Sequence, residues 1–401
     1  MRKIANIIIS VFCILIHSCS DNQQHHFFNH VINIDSIPHI ETVNMSSLYT
    51  KDVKVVLLDS IQTALLGGIN KICSCMDGSL LVLDKFVGRR IVMFDAEGKY
   101  IRQIGKLGEG PEEYHSIDDF TYSPETDEAF VWDNFKKKIL VYDVHTGRFV
   151  KDLDCSIDSR YIHFHDGMIF LDNRFKDWDS ATSPMLIAMN PKTKEATEYF
   201  MDNYPYAVSE TKVFPSDDGF FMNNCGTNGF RYNYSFSNIL FTKENNRLVP
   251  WVTFVSSEWI NNDELKSIDF NNPGFDPELI GLNKYHIICN YMEINQKMHC
   301  TISKGLQDHY VYADFNTGKS FLASTVLEDI LYNGIPFKNL NLRFGQSTKK
   351  GVYYYLDVDE MFLEAIVHYS ENLSQEGTEQ VLPLIKNMSN YNGAIFYYEY
   401  K

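Results

Sequence analysis

The 401-residue sequence has little positive charge and little tryptophan. Its 36 Lys and Arg residues are outnumbered by 52 Asp and Glu residues, so the formal net charge is -16. A protein that binds nucleic acid needs a basic surface, and this balance therefore excludes nucleic acid as a partner. Only 4 residues are Trp, whereas 24 Tyr and 28 Phe supply the aromatic content. Tyr and Phe are typical of strands, because they fill a pleated, half-buried surface.

No apolar run outside the N-terminus suggests a membrane span. The run from Ile4 to Ile16 follows Arg2 and Lys3 and is too short for a mature transmembrane helix, which indicates a signal peptide. The next residues, Ile-His-Ser-Cys ending at Cys19, resemble the cleavage site of bacterial lipoproteins. We therefore expect residues 1–18 to be a lipoprotein signal peptide and Cys19 to carry the lipid. Residues 19–42 are polar and lack periodicity, so we expect a flexible tether there.

Motifs of well-known active sites are also missing. The sequence contains no nucleophile elbow, HExxH helix, phosphate-binding loop or dinucleotide fingerprint. Its 8 cysteines do not have zinc-finger spacing. The six cysteines other than Cys13 and Cys19 are expected to be buried thiols, with disulfides as the alternative in an oxidising envelope.

The most informative feature that is present is a segment that repeats itself. Val82–Lys85 and Ile91–Asp95 recur about 49 residues later as Val131–Asn134 and Leu140–Asp143. A strand-rich repeat of this length is typical of a β-propeller blade. Weaker copies continue towards the C-terminus.

The repeats predict an all-β fold over residues 43–401. We expect a six-bladed β-propeller with short helical insertions, one near Trp259–Ser267 and one near Gln380–Met388. An open ring would leave unpaired strand edges, so a Velcro closure is expected. In that closure the strand Thr50–Leu58 pairs with the final blade, whose last strand is Ala394–Tyr400.

One part of the repeat carries a family resemblance. The turn Asp95–Lys99, the strand ending at Gly105 and the loop Gly108–Tyr114 resemble bacterial six-bladed β-propeller lipoproteins. The same loop is similar to that of NHL-repeat propellers. The resemblance implies a propeller fold and an outer-membrane lipoprotein that faces the periplasm or the cell surface. It implies no established substrate and no established catalytic residues.

An Asp or Asn recurs near the second strand of each predicted blade. Turn chemistry is the preferred explanation, because these side chains hydrogen-bond to their own backbone. The alternative is an axial cation site, for which Asn223, Asn295 and Asp357 offer the hard oxygen ligands that calcium prefers. His163 and His165 alternate on one predicted strand, where packing is preferred over a metal pair.

Two divergent loops are the expected binding elements. Arg174 and Trp178 lie in one, and Phe230, Arg231 and Tyr232 lie in the other. Long loops on a rigid scaffold carry binding sites, and aromatic side chains there stack on sugars or peptides. The preferred function is a non-enzymatic module, without cofactor, that binds a glycan, a peptide or an envelope protein. The alternative is a metal-dependent propeller hydrolase or lyase of the lactonase type, with calcium at its axial face.

Overall fold

The computed structural model describes residues 29–157, 159–173, 184–201, 224–225, 230–234, 236–269, 276–357, 364, 366–387 and 390–401. Within these ranges the chain is mostly β, as the sequence predicts, and its helices are few and short. None of the helices in the described ranges is long and apolar enough to cross a membrane. The predicted signal peptide and Cys19 lie outside the described residues.

Three strands come first, and each joins a sheet formed later in the chain. They are β1 (His30–Asn33), β2 (His39–Asn44) and β3 (Tyr49–Asp59).

Two four-stranded antiparallel sheets follow, and they correspond to the repeated segment of the sequence. The first contains β4 (Lys71–Ser74), β5 (Leu80–Asp84), β6 (Arg90–Phe94) and β7 (Tyr100–Ile104). The second contains β8 (Asp119–Ser123), β9 (Glu128–Asp133), β10 (Lys138–Asp143) and β11 (Phe149–Asp154). In both sheets each strand pairs with its neighbour along the chain, which is the meander of a propeller blade.

The loop between β7 and β8 packs the first sheet against the second. Tyr114 is fully buried and meets the Tyr142 ring edge-on, with 6.2 Å between the ring centroids. Gly105 adopts a φ of +59°, and a Cβ there would lie 2.6 Å from the Tyr142 ring. Only glycine therefore fits at this crossing.

A third sheet combines two meanders. Its strands are β12 (Ile162–His165), β13 (Met168–Asp172), β14 (Leu186–Met189), β15 (Ala196–Met201), β17 (Ile239–Glu244) and β18 (Arg247–Val255), and β1 completes it. The intervening β16 (Asn224–Cys225) belongs to another sheet. The first meander is β12 to β15, and the second is β17 with β18. Among the described residues, backbone pairing between them occurs where β15 runs parallel to β18, through Phe200 with Arg247 and Met201 with Leu248, and their side chains share one hydrophobic cluster.

The remaining strands form two further sheets. The fourth sheet contains β19 (Tyr285–Ile294), β20 (Lys297–Lys304), β21 (Gln307–Asp314), β22 (Lys319–Glu328), β23 (Ile335–Pro336) and β2. The fifth contains β24 (Arg343–Thr348), β25 (Gly351–Asp357) and β26 (Tyr391–Tyr400), flanked by β16 and β3. β3 pairs antiparallel with β26 along its length, from Tyr49 opposite Tyr400 to Asp59 opposite Tyr391.

The prediction that residues 19–42 form a flexible tether is wrong from His30 onward. β1 pairs in parallel with β18, and β2 pairs in parallel with β22. The edge strands of the two sheets offer unpaired backbone donors and acceptors, which a short extra strand can satisfy. Nearly all side chains of β2 are exposed. The segment therefore needs no apolar alternation, and its polar sequence does not reveal the strands.

Short helices lie between the sheets. They are α1 (Asn262–Lys266), α2 (Asp276–Gly281), α3 (Gln375–Gln380) and α4 (Leu382–Lys386), with 3-10 helices at Met45–Ser47, Phe337–Leu340 and Ser370–Asn372. α1 lies within the predicted helical insertion and begins with a capping box between Asn261 and Glu264. The second predicted insertion contains α4.

The hydrophobic core consists of clusters between successive sheets. Leu83 and Phe120 join the first sheet to the second, and Trp132 and Leu171 join the second to the third. Further clusters join the third sheet to the fourth and the fourth to the fifth. A last cluster, which includes Ile72 and Ile395 but no residue of the intervening sheets, joins the fifth sheet to the first.

Candidate functional site

The structure does not place the predicted binding residues on an exposed loop. Phe230, Arg231 and Tyr232 are all buried, with exposed fractions of 2%, 5% and 0%. Tyr232 bridges to Phe241 of β17, so the segment packs as an inner strand of the second meander. The expectation of an exposed loop is therefore wrong for these three residues. Arg174 and Trp178 lie outside the described residues.

Arg231 is the cation of a buried ion pair. Its Nε and Nη2 atoms donate to the Glu293 carboxylate at 2.9 and 3.1 Å, and its guanidinium lies 3.9 Å from the centroid of the Trp251 ring. Tyr291 donates its hydroxyl to the same carboxylate at 2.6 Å. Burial raises the pKa of Tyr291 well above its usual value. These contacts join the third sheet to the fourth and leave Arg231 no free face for a ligand.

The weak metal candidates do not form a described site. Asn223 and the side chain of Asp357 lie outside the described residues. Asn295 sits in the tight turn between β19 and β20, with a φ of +48°. A left-handed Asn in a hairpin turn is explained by turn chemistry. Across the described part of the chain, no group of three His, Cys, Asp or Glu side chains could hold a metal ion.

The Asp series also agrees with turn chemistry in the two best repeats. The buried Asp84 carboxylate accepts backbone N–H groups of Gly67 and Gly88 at 2.7 and 2.9 Å. The buried Asp133 carboxylate accepts those of His115 and Lys136 at 2.6 and 3.0 Å. Each carboxylate thus accepts hydrogen bonds both from the turn that follows its strand and from the segment that leads into its sheet.

His163 and His165 pack rather than ligate. Their rings lie 6.1 and 5.8 Å from the Phe230 ring, measured between centroids. Burial lowers the pKa of His163 to about 3, so this ring is neutral at physiological pH. The five cysteines whose side chains are described form no disulfide.

A cavity of about 240 Å³ lies between the fourth and fifth sheets. On the fourth sheet its wall is aromatic, because Tyr310, Tyr312 and Phe321 point to the same face. Tyr312 packs against the Phe321 ring at 5.0 Å and edge-on against the His299 ring at 4.8 Å. This wall follows from strand alternation: residues two apart on a strand share a face.

The opposite wall comes from the fifth sheet and the segment before it. Tyr49 of β3, Phe344 of β24 and Tyr354 of β25 line it. Phe337 meets the Tyr354 ring edge-on, with centroids 4.8 Å apart. Offset and edge-on ring contacts of this kind hold aromatic side chains in place, so the walls are preorganised.

The link between β2 and β3 closes one side of the cavity. Val43, Met45 and Leu48 line it there, and Met45 is buried. These residues follow directly after the predicted tether, at the start of the predicted propeller domain, so the first part of that domain builds part of the candidate site.

Besides the tyrosines, the polar side chains of the cavity fall into two groups. Asn290, His299 and Thr301 line it from β19 and β20, and Asn290 Nδ2 donates to Thr301 Oγ1 at 3.5 Å. Asp308 and Lys338 also line it, and both are exposed, so they mark where the cavity meets solvent. A few polar groups in a mainly apolar cavity are typical of small-molecule sites.

The interior of the cavity disfavours charge of either sign. Burial lowers the pKa of His299 to about 4, with a smaller contribution from Lys297. Burial raises the pKa of Tyr310 to about 12, with Asp308 and Cys289 adding to it. Burial likewise raises the pKa of Tyr354. Burial thus favours the neutral forms of the His299 ring and of the Tyr310 and Tyr354 hydroxyls.

Sequence reasoning did not find this cavity. The alternation of Tyr310 and Tyr312 on one strand is a local signal that could have marked the first wall. The opposite wall combines Tyr49 of β3 with Phe344 of β24 and Tyr354 of β25, and no local pattern links these strands to the first wall.

Together the fold and the cavity define a class, namely a mostly β protein of consecutive antiparallel sheets with a ligand-sized cavity between two of them. The chain belongs to the family described as "Domain of unknown function (DUF4934)", whose model matches residues 29–391. No curated protein is significantly similar to it in sequence.

Two solved structures share this fold. One is a protein from Bacteroides fragilis whose description as exported is an inference. It is 17% identical, the alignment covers 92% of this chain and 99% of that one, and the TM-score is 0.71. The other is a member of the DUF4221 family from Bacteroides vulgatus, which is 12% identical, covers 88% of this chain and 97% of its own, and has a TM-score of 0.51. At these identities the similarity shows the fold alone.

Proposed function

We propose that this protein is an exported, non-enzymatic binding module, built as a closed six-bladed β-propeller, whose ligand site is the cavity between the fourth and fifth sheets. The single observation that carries the binding function is this aromatic cavity of about 240 Å³, with polar groups at one end and exposed charges at its opening. The sequence proposed a glycan, peptide or envelope protein as partner. The cavity instead favours a small molecule.

The closed ring is supported by sheet pairing and by the core. The third sheet supplies two blades, because it contains two successive antiparallel units whose backbones pair with each other through one short parallel contact between β15 and β18. The first, second, fourth and fifth sheets supply one blade each. The pairing of β3 with β26 and the cluster that joins the fifth sheet to the first support Velcro closure. The NHL-like loop between β7 and β8 fits the crossing between two such blades.

The envelope location is supported by the N-terminal sequence. Arg2, Lys3 and the apolar run to Ile16 precede a lipoprotein-like site at Cys19. The Bacteroides fragilis protein of the same fold is described as exported by inference. We therefore propose an outer-membrane lipoprotein whose propeller faces the periplasm or the cell surface.

A binding function is supported over the metal-dependent hydrolase or lyase by the kind of site. The cavity walls are aromatic, and burial favours the neutral forms of His299 and Tyr310. General acid–base work needs a group whose pKa lies near the working pH, and His299, with a pKa of about 4, is too weak a base for this role.

The proposed site is tested by a substitution that fills the cavity. Val326 of β22 lines it and is only partly buried, so Val326→Trp places an indole ring inside it with little disturbance of the sheet. The matched control is Val150→Trp on β11, where the side chain is 48% exposed and remote from the cavity.

Purified soluble protein, from residue 20 onward, is titrated with three probes of similar size: benzyl alcohol, benzoate and benzylamine. Binding of a probe raises the melting temperature of a protein by mass action. We expect at least one probe to raise it in the wild type and in Val150→Trp, and not in Val326→Trp. If no probe acts, or if Val326→Trp responds like the control, the proposed site is wrong.

A further inference from the structure

We propose that the cavity between the fourth and fifth sheets selects a neutral, single-ring or two-ring molecule that carries one hydroxyl or carbonyl group. This inference rests on the proposed binding function and adds the chemical class of the ligand.

The size of the cavity limits the ligand. An engineered protein cavity of about 150 Å³ holds one benzene molecule. By proportion, the 240 Å³ found here accommodates a molecule of about ten non-hydrogen atoms. A long acyl chain or a disaccharide exceeds this volume, whereas one aromatic or alicyclic ring with a short substituent fits it.

The walls favour a ring. Tyr310, Tyr312 and Phe321 line one side, and Phe344 and Tyr354 line the other. Aromatic side chains hold a ring by offset-stacked or edge-on contacts, and each such contact adds to the gain from apolar burial. Their own packing already fixes the wall rings, so a ligand does not have to order them.

Charge on the ligand is disfavoured by the same walls. An aromatic cage binds an organic cation well when a carboxylate compensates the buried charge. The only carboxylate that lines the described cavity is that of Asp308, and it is exposed and accepts the Ser303 hydroxyl at 2.6 Å. The sole cation is that of Lys338, also exposed. Neither group reaches far enough to compensate a charge held among the wall rings. The same cost of burying a charge lowers the pKa of the protein's own His299, which is therefore neutral.

The polar end accounts for the single hydroxyl or carbonyl group. Asn290 and Thr301 face the cavity and meet each other only at 3.5 Å, which is near the limit of a hydrogen bond. A ligand oxygen can replace this weak contact with two better ones. The Thr301 side chain is buried, so such a bond is shielded from water.

The test compares the three probes, which are similar in size and differ in charge. We expect benzyl alcohol to bind with a Kd on the order of 1 mM, as small ligands of this size do. Benzoate and benzylamine should bind at least tenfold more weakly at pH 7. Binding of benzyl alcohol should be lost in Val326→Trp and kept in Val150→Trp.

A second comparison tests the polar end. Thr301→Val keeps the shape of the side chain and removes its hydroxyl. It should weaken benzyl alcohol severalfold and leave toluene, which has no oxygen, unchanged. Equal effects on both probes would overturn the assignment of the polar group.

The remaining outcomes separate the two proposals. If benzoate or benzylamine binds as tightly as benzyl alcohol and Val326→Trp blocks it, the neutral class is wrong and the binding site stands. If every probe binds Val326→Trp as it binds the wild type, both proposals fail.

Discussion

At the scale of single residues, the predictions of exposure and binding from sequence patterns were the least accurate. Arg231 stands among aromatic residues in a divergent segment, which is also the pattern of an exposed binding loop. Its partner, Glu293, is 62 residues away along the chain, and nothing local connects the two. A charged residue is almost never fully buried unless it is paired, so its burial could be predicted only with the partner known.

The Arg231–Glu293 pair makes a testable difference to stability. Replacing Arg231 by Met leaves the Glu293 carboxylate buried without its cation, which costs about 3–5 kcal/mol of unfolding free energy. Urea denaturation of the soluble domain measures this loss. The double variant Arg231→Met with Glu293→Gln should recover part of it, because no buried charge then remains.

An exposed ion pair provides the control for this measurement. Lys54 and Glu97 lie 3.9 Å apart with side chains 53% and 68% exposed. Lys54→Ala should cost less than about 1 kcal/mol. If Arg231→Met costs no more than Lys54→Ala, the buried pair is not formed in the folded protein.

At the scale of elements, the sequence predicted those that depend on local chemistry. β4 to β11 lie where the repeat places them, because Asp and Gly turns punctuate the strands and Asp84 and Asp133 cap equivalent turns. β1 and β2 were missed because they pair through their backbones along sheet edges; the side chains of β2 are mostly exposed, and β1 has a single buried side chain, Ile32. Strand formation there depends on the partner edge rather than on the segment's own pattern.

The end of β22 predicts a pH dependence of stability. Glu328 is fully buried, and its carboxylate accepts backbone N–H groups of Ile330, Leu331 and Tyr332 at 3.2, 3.0 and 2.7 Å. Burial nonetheless raises the pKa of Glu328 to about 7. An unfolded glutamate titrates near pH 4.3, so the folded state holds this proton more tightly. The contribution of Glu328 is therefore complete below about pH 4 and is lost as the pH rises to 7.

The variant Glu328→Gln keeps an acceptor oxygen and removes the titration. The wild type minus variant difference in unfolding free energy should fall by roughly 3 kcal/mol between pH 4.5 and pH 7.5. Chemical denaturation at several pH values gives this difference. The exposed Glu97→Gln serves as the control and should show little change over the same interval. A flat difference for Glu328→Gln would contradict a raised pKa.

At the scale of the whole molecule, the sequence predicted a strand-rich protein but not where its cavity lies. The walls join β3 to strands that begin at Tyr285, and the closing segment lies just before β3, near the start of the predicted propeller domain. Such a site is a product of how sheets meet, and two sheets meet through residues that are far apart in sequence. The binding residues expected from divergent loops proved to be core residues wherever the structure describes them.

The proposed attachment of the whole protein to the outer membrane depends on one residue. Cys19→Ala removes the thiol that would carry the lipid, and stable anchoring to a bilayer needs that lipid. We expect this substitution to move the full-length protein from the membrane pellet to the soluble envelope fraction, as measured by membrane fractionation of the producing cells. Cys13→Ala, inside the apolar run, is the matched control and should leave the protein in the pellet. An unchanged pellet for Cys19→Ala would exclude lipidation at this site.

The pairing of β3 with β26 has a consequence for the order of events during synthesis. Val56 lies opposite Ile395, so these two strands, among the earliest and the last of the fold, complete the same sheet. This contact cannot form until nearly the whole chain has been made, and contacts of such high sequence separation make folding slow. In the proposed export, a chain in transit therefore lacks its final sheet until its last strand has crossed the membrane.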